Sequence, residues 1–399
     1  MVVNGFAVEL NGSESLGSSD ALRARPVVLV LTVPLGGGHT AAAKAITSVL
    51  TELAVRAEVV DLAAEIFERF PFDKLIRMAY KCFSTWWGGR IHAVLYDLAD
   101  RYPAATSRLT NFLLGPRVAR WSEGLGPVDV FISTFPLVSY VLARRLPSRR
   151  RPGLVSFVTD AGEVNRVWFQ GDVDRFIVSG LDTSEFAKML GVPADRITVA
   201  RPPIASGDTS IGKAEARGFL GLDERFTILL TSGGSGLGRG VLEAAELLMG
   251  SNLDVQFILN AGDNERLYRR FRALSGDRRC LVVGFTHDFP LMLAACDLVV
   301  GKAGWLTINE AMAIRRPTLI VDVLPGQEEA NCAYAESQGA GRRIRPKDVP
   351  NVIQEYLSSN VSFNADFTFD RVRGADLTWP SELRKVVKDM IISREVAHV

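Results

Sequence analysis

The chain has 399 residues, 47% of them apolar, with a formal charge of +1 and glycine at 35 positions. That length exceeds one ordinary hydrophobic core and predicts two domains plus tails, and the composition is that of a globular α/β protein. Balanced charge excludes a nucleic-acid partner held by overall basicity. The cysteines (Cys82, Cys280, Cys296, Cys332) show no metal-ligand spacing and read as reduced core thiols of a cytosolic protein.

Residues 1–25 are polar, contain much Gly and Ser and lack an apolar h-region, so they read as a disordered tail and not a signal peptide. No apolar run reaches the ~20 residues of a transmembrane helix. Pro26 to Thr32 reads as a buried strand that ends in Leu35-Gly36-Gly37-Gly38-His39, and Thr40 opens a helix running to about Val55. A second strand, Ala57 to Val60, completes a βαβ unit with its loop at the carboxyl edge of the sheet. Glycines at 36–38 let that loop bend tightly and approach a ligand. His39 falls beside a helix N-terminus, where the dipole disfavours the imidazolium and a neutral imidazole can act as a general base. A phosphate-binding turn in which His39 is only a cap is the other reading.

Between residues 66 and 121, aromatic and aliphatic side chains interleave with basic ones. From Arg69 to Arg120 nine basic residues face three acidic ones, which sets this stretch apart from a chain that is otherwise balanced. One reading is a pair of helices with a core stripe and a solvated charged face. The other is an acceptor entrance lying on an anionic leaflet, with Trp86 and Trp87 at the interface. Strands follow at Asp129 to Thr134, Leu154 to Asp160 and Val173 to Ser179. Asp160, at a carboxyl end, either orients His39 or caps its own strand, and the cap is the preferred reading. Residues 201–212 carry no periodic pattern and read as a linker. The expected division is therefore a tail (1–25), a first domain (26–204), a second domain (205–345) and a C-terminal extension (346–399) with an amphipathic last helix, Ser381 to Glu395.

In the second domain, Phe226 to Thr231 is a strand that runs into Ser232-Gly233-Gly234-Ser235-Gly236-Leu237-Gly238. A glycine loop before a helix N-terminus supplies N–H groups for a diphosphate. Alone the signal is weak, since it matches neither a Walker loop nor the dinucleotide spacing. Gly301 to Gly341 then reads as turn, helix, strand, polar turn and helix, the way an open α/β sheet gathers ligand groups at its carboxyl edge. Thr307-x-x-Glu310 is by spacing a capping box. Pro325-Gly326-Gln327-Glu328 presents an amide and a carboxylate, the donor and acceptor set that sugar hydroxyls require. Asn331 assists there or caps the following helix.

Together these motifs resemble glycosyltransferase family 28, in particular the monogalactosyldiacylglycerol synthases and the processive diacylglycerol glucosyltransferases. The N-acetylglucosaminyltransferase that makes lipid II is a more distant likeness. Gly36-Gly37-Gly38-His39, the run from Asp129 to Pro136, Thr159-Asp160 with Trp168, the 232–238 loop and the two motifs of 301–341 carry the resemblance, over roughly 26–345. It implies two Rossmann-like domains facing across a cleft, the GT-B type. It further implies inverting transfer of a hexose from UDP-galactose or UDP-glucose to diacylglycerol or a related lipid.

By the resemblance His39 is the base, with Gly37, Gly38, Trp86, Trp87 and Trp168 on the acceptor or membrane side. Gly233, Gly234, Ser235 and Gly304 belong to the phosphates, Phe285 to uracil through its backbone, and Glu310 with Thr307 to the ribose. Gly326, Gln327, Glu328 and Asn331 belong to the sugar. No cofactor and no metal are expected, because no DxD pair stands where a metal would hold the diphosphate. A cytoplasmic enzyme, peripheral on the inner face of the cell membrane, is the implied setting. Three residues depart from the family pattern: Asn165 for His, Ala303 for Pro, and Trp305 for Gly or Pro. The bulk of Trp305 is expected to reshape the donor pocket or to stack on sugar or lipid. A soluble or polyprenyl-linked acceptor, and a non-enzymatic nucleotide-sugar sensor, stand as alternatives.

Overall fold

The computed structural model describes residues 25–33, 38–67, 86–146, 151–200, 211–234, 236, 238–276, 280–326, 328–358, 367 and 379–397, with backbone alone at 86–89 and 394–397. In the first half the order is β1 (Val27–Thr32), α1 (Gly38–Leu50), β2 (Arg56–Asp61), α2 (Leu62–Ile66), α3 (Trp86–Arg101), α4 (Pro103–Glu123) and β3 (Val130–Ser133). It continues with α5 (Pro136–Arg145), β4 (Gly153–Phe157), β5 (Arg175–Val178), α6 (Leu181–Met189) and β6 (Ile197–Val199). The second half opens with α7 (Lys213–Leu220), β7 (Thr227–Thr231), α8 (Gly240–Gly250), β8 (Gln256–Asn260), α9 (Glu265–Ser275), β9 (Cys280–Val283) and α10 (Phe289–Ala295). After it come β10 (Leu298–Lys302), α11 (Trp305–Ala313), β11 (Thr318–Asp322), α12 (Glu329–Ser337), β12 (Gly341–Arg343), α13 (Val349–Ser358) and α14 (Trp379–Ala397).

Continuous apolar runs such as Val-Val-Leu-Val-Leu in β1 and Thr-Ile-Leu-Leu in β7 are buried on both faces, as strands covered by helices on each side must be. They build two six-stranded sheets, ordered β2-β1-β3-β4-β5-β6 and β12-β11-β10-β7-β8-β9. Every strand pairing is parallel. Both are doubly wound, and the chain reverses direction between β1 and β3 in one sheet and between β7 and β10 in the other. Ligand groups collect at the carboxyl ends of strands at such switch points.

The core clusters extend past residue 345 into the C-terminal extension. Val349 and Ile353 of α13 lie in the second sheet's core, so that unit runs past residue 345. Trp379, Leu383, Val386, Val387 and Met390 of α14 pack with Val28, Ile132 and Phe157, so the last helix belongs to the first sheet's core. An apolar stripe at i, i+4, i+7 and i+8 places these side chains on one face, and burying it is what returns the chain to where it began.

Candidate active site

At the first switch point, His39 is the second residue of α1, where its ring is buried. Its Nδ1 lies 2.6 Å from the Thr134 carbonyl oxygen at the end of β3 and 3.1 Å from Thr159 Oγ1 at the end of β4. The carbonyl can only accept, so Nδ1 carries the proton and Nε2 presents its lone pair. Phe135 stands edge-on at 5.2 Å and Trp168 is tilted at 6.3 Å. Burial lowers the His39 pKa to about 4, against the opposing pull of the Thr134 carbonyl. The imidazole is therefore neutral at physiological pH.

At the second switch point the loop after β7 takes positive φ at Gly233 (+70), Gly236 (+58) and Gly238 (+141), conformations that a side chain would strain. Asp263 N donates to the Gly234 carbonyl and Asn264 Nδ2 to that of Gly236, which pins the loop to the end of β8. The Phe285 ring, 55% exposed, comes within 3.9 Å of a Cβ built on Gly234. Glu310, in the interior of α11, has no hydrogen-bond or ionic partner among the described residues, and burial alone raises its pKa to about 8. Helix α11 begins at Gly304 without a side-chain cap, which places Thr307 in its first turn. The capping-box reading of Thr307 and Glu310 is thereby ruled out, and a buried carboxyl stands without a partner among the described residues.

The two edges meet along a polar seam. Asn331 Oδ1 accepts from Ala161 N at 3.3 Å in one half, while its Nδ2 donates to the Ala303 carbonyl at 3.2 Å in the other. Trp305 Nε1 donates to Ser179 Oγ at 3.3 Å, and the indole packs edge-on against Tyr334 at 5.0 Å. A Cβ on Gly326, where φ is +86, would lie 3.0 Å from the Tyr96 ring of α3. One bonded path thus runs from His39 through Thr159, Asp160, Ala161 and Asn331 to Ala303 and the phosphate side.

Two family descriptions match this chain in tandem: monogalactosyldiacylglycerol (MGDG) synthase over residues 39–204 and the glycosyltransferase family 28 C-terminal domain over 227–371. The chain belongs to glycosyltransferase family 28, diacylglycerol glycosyltransferase type. Monogalactosyldiacylglycerol synthase 1 of Arabidopsis thaliana is 26% identical, covering 95% of this chain and 73% of the relative. The processive diacylglycerol beta-glucosyltransferase of Bacillus cereus (strain G9842) is 24% identical, covering 80% and 82%. Among solved structures, UGT89C1 of Arabidopsis thaliana with UDP-L-rhamnose superposes with a TM-score of 0.57 at 13% identity, covering 92% of this chain and all of that one. Acinetobacter baumannii MurG gives 0.54 at 14%, covering 92% and 99%. These likenesses show the fold, two Rossmann-like domains of the GT-B type.

Several residues of the family 28 motifs sit differently from their sequence-based expectation. Asp160 makes none of the hydrogen bonds to His39, so it does not orient the ring; the Thr134 carbonyl and Thr159 do. Its carboxyl instead takes a hydrogen bond from Asn331 and feels Glu328 and Lys302, and burial raises its pKa to about 7. Glu328 does not stand ready for a sugar: Oε1 accepts from Lys302 Nζ at 2.6 Å and Oε2 from Leu324 N at 3.0 Å. Asn331 neither caps α12 nor faces a sugar, because both ends of its amide are spent on the seam. Trp305 is buried there, and Trp168 lies buried in the first domain's core beside His39 and not at a membrane surface. Asn165, in place of the family's His, accepts from Val167 N and donates to the Tyr96 carbonyl, fixing α3. Gly37, Ser235, Gln327 and the side chains of Trp86 and Trp87 lie outside the described residues.

On α3 the exposed residues Ile91, Val94, Leu95 and Leu98 recur at helical spacing, Tyr102 is exposed just after it, and Leu109, Phe112 and Leu113 recur so on α4. Phe112 is 76% exposed. Arg101, Arg108, Arg117 and Arg120 are exposed around them. The purely core reading of this stretch fails on that count, since contiguous exposed apolar side chains mark an interaction surface. No helix among the described residues is long and apolar enough to cross a membrane.

Proposed function

We propose that this enzyme transfers a hexose, galactose or glucose, from a UDP-sugar to the hydroxyl of diacylglycerol, inverting the anomeric centre to give a β-glycolipid. The observation that carries this reading is the neutral, buried His39, locked in one tautomer at one switch point and linked across the seam to Ala303 at the other, the edge that also carries the glycine loop and Glu310. The acceptor hydroxyl attacks the anomeric carbon from the face opposite the diphosphate, and His39 Nε2 takes its proton as the bond forms. UDP leaves with the electron pair of the broken C–O bond. Glu310 accepts from the ribose hydroxyls, a contact that is strong because the site is dry.

The exposed face of α3 and α4 would rest on an anionic leaflet, arginines toward phosphate, and bring the cleft to its lipid substrate. The enzyme would then act peripherally on the cytoplasmic face of a membrane. Transfer would proceed without a metal, since the acidic groups near the loop, Asp322 and Glu328, are already engaged by amides and by Lys302. Full activity in strong chelator is the expected result, and complete loss would contradict it. The function itself is tested by incubating the protein with each UDP-hexose and diacylglycerol vesicles. A β-glycolipid supports it; UDP release with no glycolipid moves the acceptor elsewhere.

A further inference from the structure

A helix N-terminus after a glycine loop attracts an anion, but here that end of α8 already faces one. Asp322 Oδ2, at the end of β11, accepts from Val241 N at 3.1 Å and also takes the Gly240 amide. A Cβ on Gly238 would lie 2.6 Å from the same oxygen, so the carboxylate sits directly beneath the loop. Asp160 and Glu328 add two more acidic groups at this edge. A diphosphate entering here meets carboxylates on several sides, and the loop's amides alone do not balance them.

Lys302 is positioned to do so. It ends β10 at the switch point, where pairing with β11 slips between Gly301 and Lys302 so that Lys302 sits opposite Asp322. Irregularities of this kind re-aim a side chain at a sheet edge. The stem then runs between two glycines: a Cβ on Gly233 would lie 3.3 Å from Lys302 Cε, and one on Gly304 would lie 3.9 Å from Nζ. Both glycines belong to turns assigned to the phosphates. The ammonium rests 2.6 Å from Glu328 Oε1, and among the described residues it is the cation that acts on both Asp160 and Asp322.

We infer that Lys302 is the phosphate-neutralising residue of the nucleotide site, passing its ammonium from Glu328 to an oxygen of the nucleoside diphosphate when the nucleotide binds. The assignment rests on the UDP-sugar reading and deepens it. As the anomeric C–O bond breaks, its electron pair stays on the β-phosphate oxygen, and the ammonium meets one negative charge more than in the ground state. Stabilisation that grows along the reaction in this way accelerates the chemical step. Glu328 serves as the resting counter-ion that holds the lysine in place while the site is empty.

Calorimetric binding of UDP and of uridine, in chelator so that no metal ion substitutes, tests the assignment. Wild type should bind UDP more tightly than uridine. Lys302→Met should weaken UDP about 10- to 100-fold and leave uridine unchanged, and Lys302→Arg should recover most of the loss. An unchanged UDP-to-uridine ratio in Lys302→Met would overturn the assignment. Loss of uridine together with UDP would also overturn it, by making Lys302 a structural prop. Wild type binding neither ligand would remove the UDP-sugar reading itself, and the assignment with it.

Discussion

Two buried ionisable groups, one on each side of the cleft, are shifted in opposite senses by the same cause. Burial disfavours charge, so it lowers the His39 pKa to about 4 and raises that of Glu310 to about 8. For Glu310 the sign is fixed. The folded state holds its proton more tightly than the unfolded chain, so the carboxyl costs stability as pH rises from its ordinary value of 4.5 through about 8. Glu310→Gln should therefore raise the melting temperature of the ligand-free protein by roughly 4–8 °C at pH 8.5 and leave it unchanged at pH 4.5. Scanning calorimetry at the two pH values checks this, and an equal shift at both would show that the carboxyl is not the source. At pH 8.5, where the carboxyl is ionised, the same variant should bind uridine about 10-fold more weakly, since one charged acceptor is lost. At this scale the sequence told residue types better than partners. His39 and Glu310 were picked out by the family 28 resemblance; spacing alone left His39 as a base or a cap and read Glu310 as part of a capping box. Lys302 was in plain view within Gly301-Lys302-Ala303-Gly304, yet nothing in one sequence separates a strand-end lysine facing solvent from one turned inward by a slip in register. The resting partner of Glu328 was hidden for the same reason: it is that lysine, 26 residues earlier.

At the scale of elements, α3 and α4 are where sequence left two readings and the structure separates them by face. Ser107, Gly115 and Val118 of α4 turn inward, while Leu109, Phe112 and Leu113 turn out. Helical spacing is the same on both faces, so periodicity could not say which stripe was core. That depended on α5, which packs along α4 and is fixed to it by Arg145 and Asn111. Burying a side chain the size of Phe or Leu in lipid is worth roughly 1.5–3 kcal/mol. Phe112→Asp with Leu113→Asp should thus reduce sedimentation with anionic vesicles by at least about 10-fold, with UDP binding unaltered. Undiminished sedimentation would send the apolar face back to an unrelated role. A tryptophan near a cleft looks the same in sequence whether it packs beside a histidine or meets a membrane, and Trp168 does the former. A 3-10 turn, Arg166–Phe169, directs it inward.

Across the whole molecule, the fold was the most legible part, because parallel strands buried on both faces are written as unbroken apolar runs separated by helices and loops. The domain limits were less so. Helix α14 begins 179 residues after Ala200, the nearest preceding buried residue of the core it completes, and local pattern carries no information about which sheet it covers. The seam was not legible at all: Asn331 to Ala161, Trp305 to Ser179 and Tyr96 to Gly326 each join residues over 100 positions apart. Yet the seam is what turns two binding edges into one reaction site, with the base on one sheet and the leaving group on the other. The account stands or falls on that division of labour. The measurement that tests it most directly is hexose transfer to diacylglycerol in anionic vesicles, comparing wild type with His39→Ala while following UDP binding in parallel. The account predicts a β-glycolipid from wild type, a rate about 100- to 10,000-fold lower in the variant, and unchanged affinity for UDP. A variant that transfers at the wild-type rate, or one that loses UDP binding along with transfer, would contradict it.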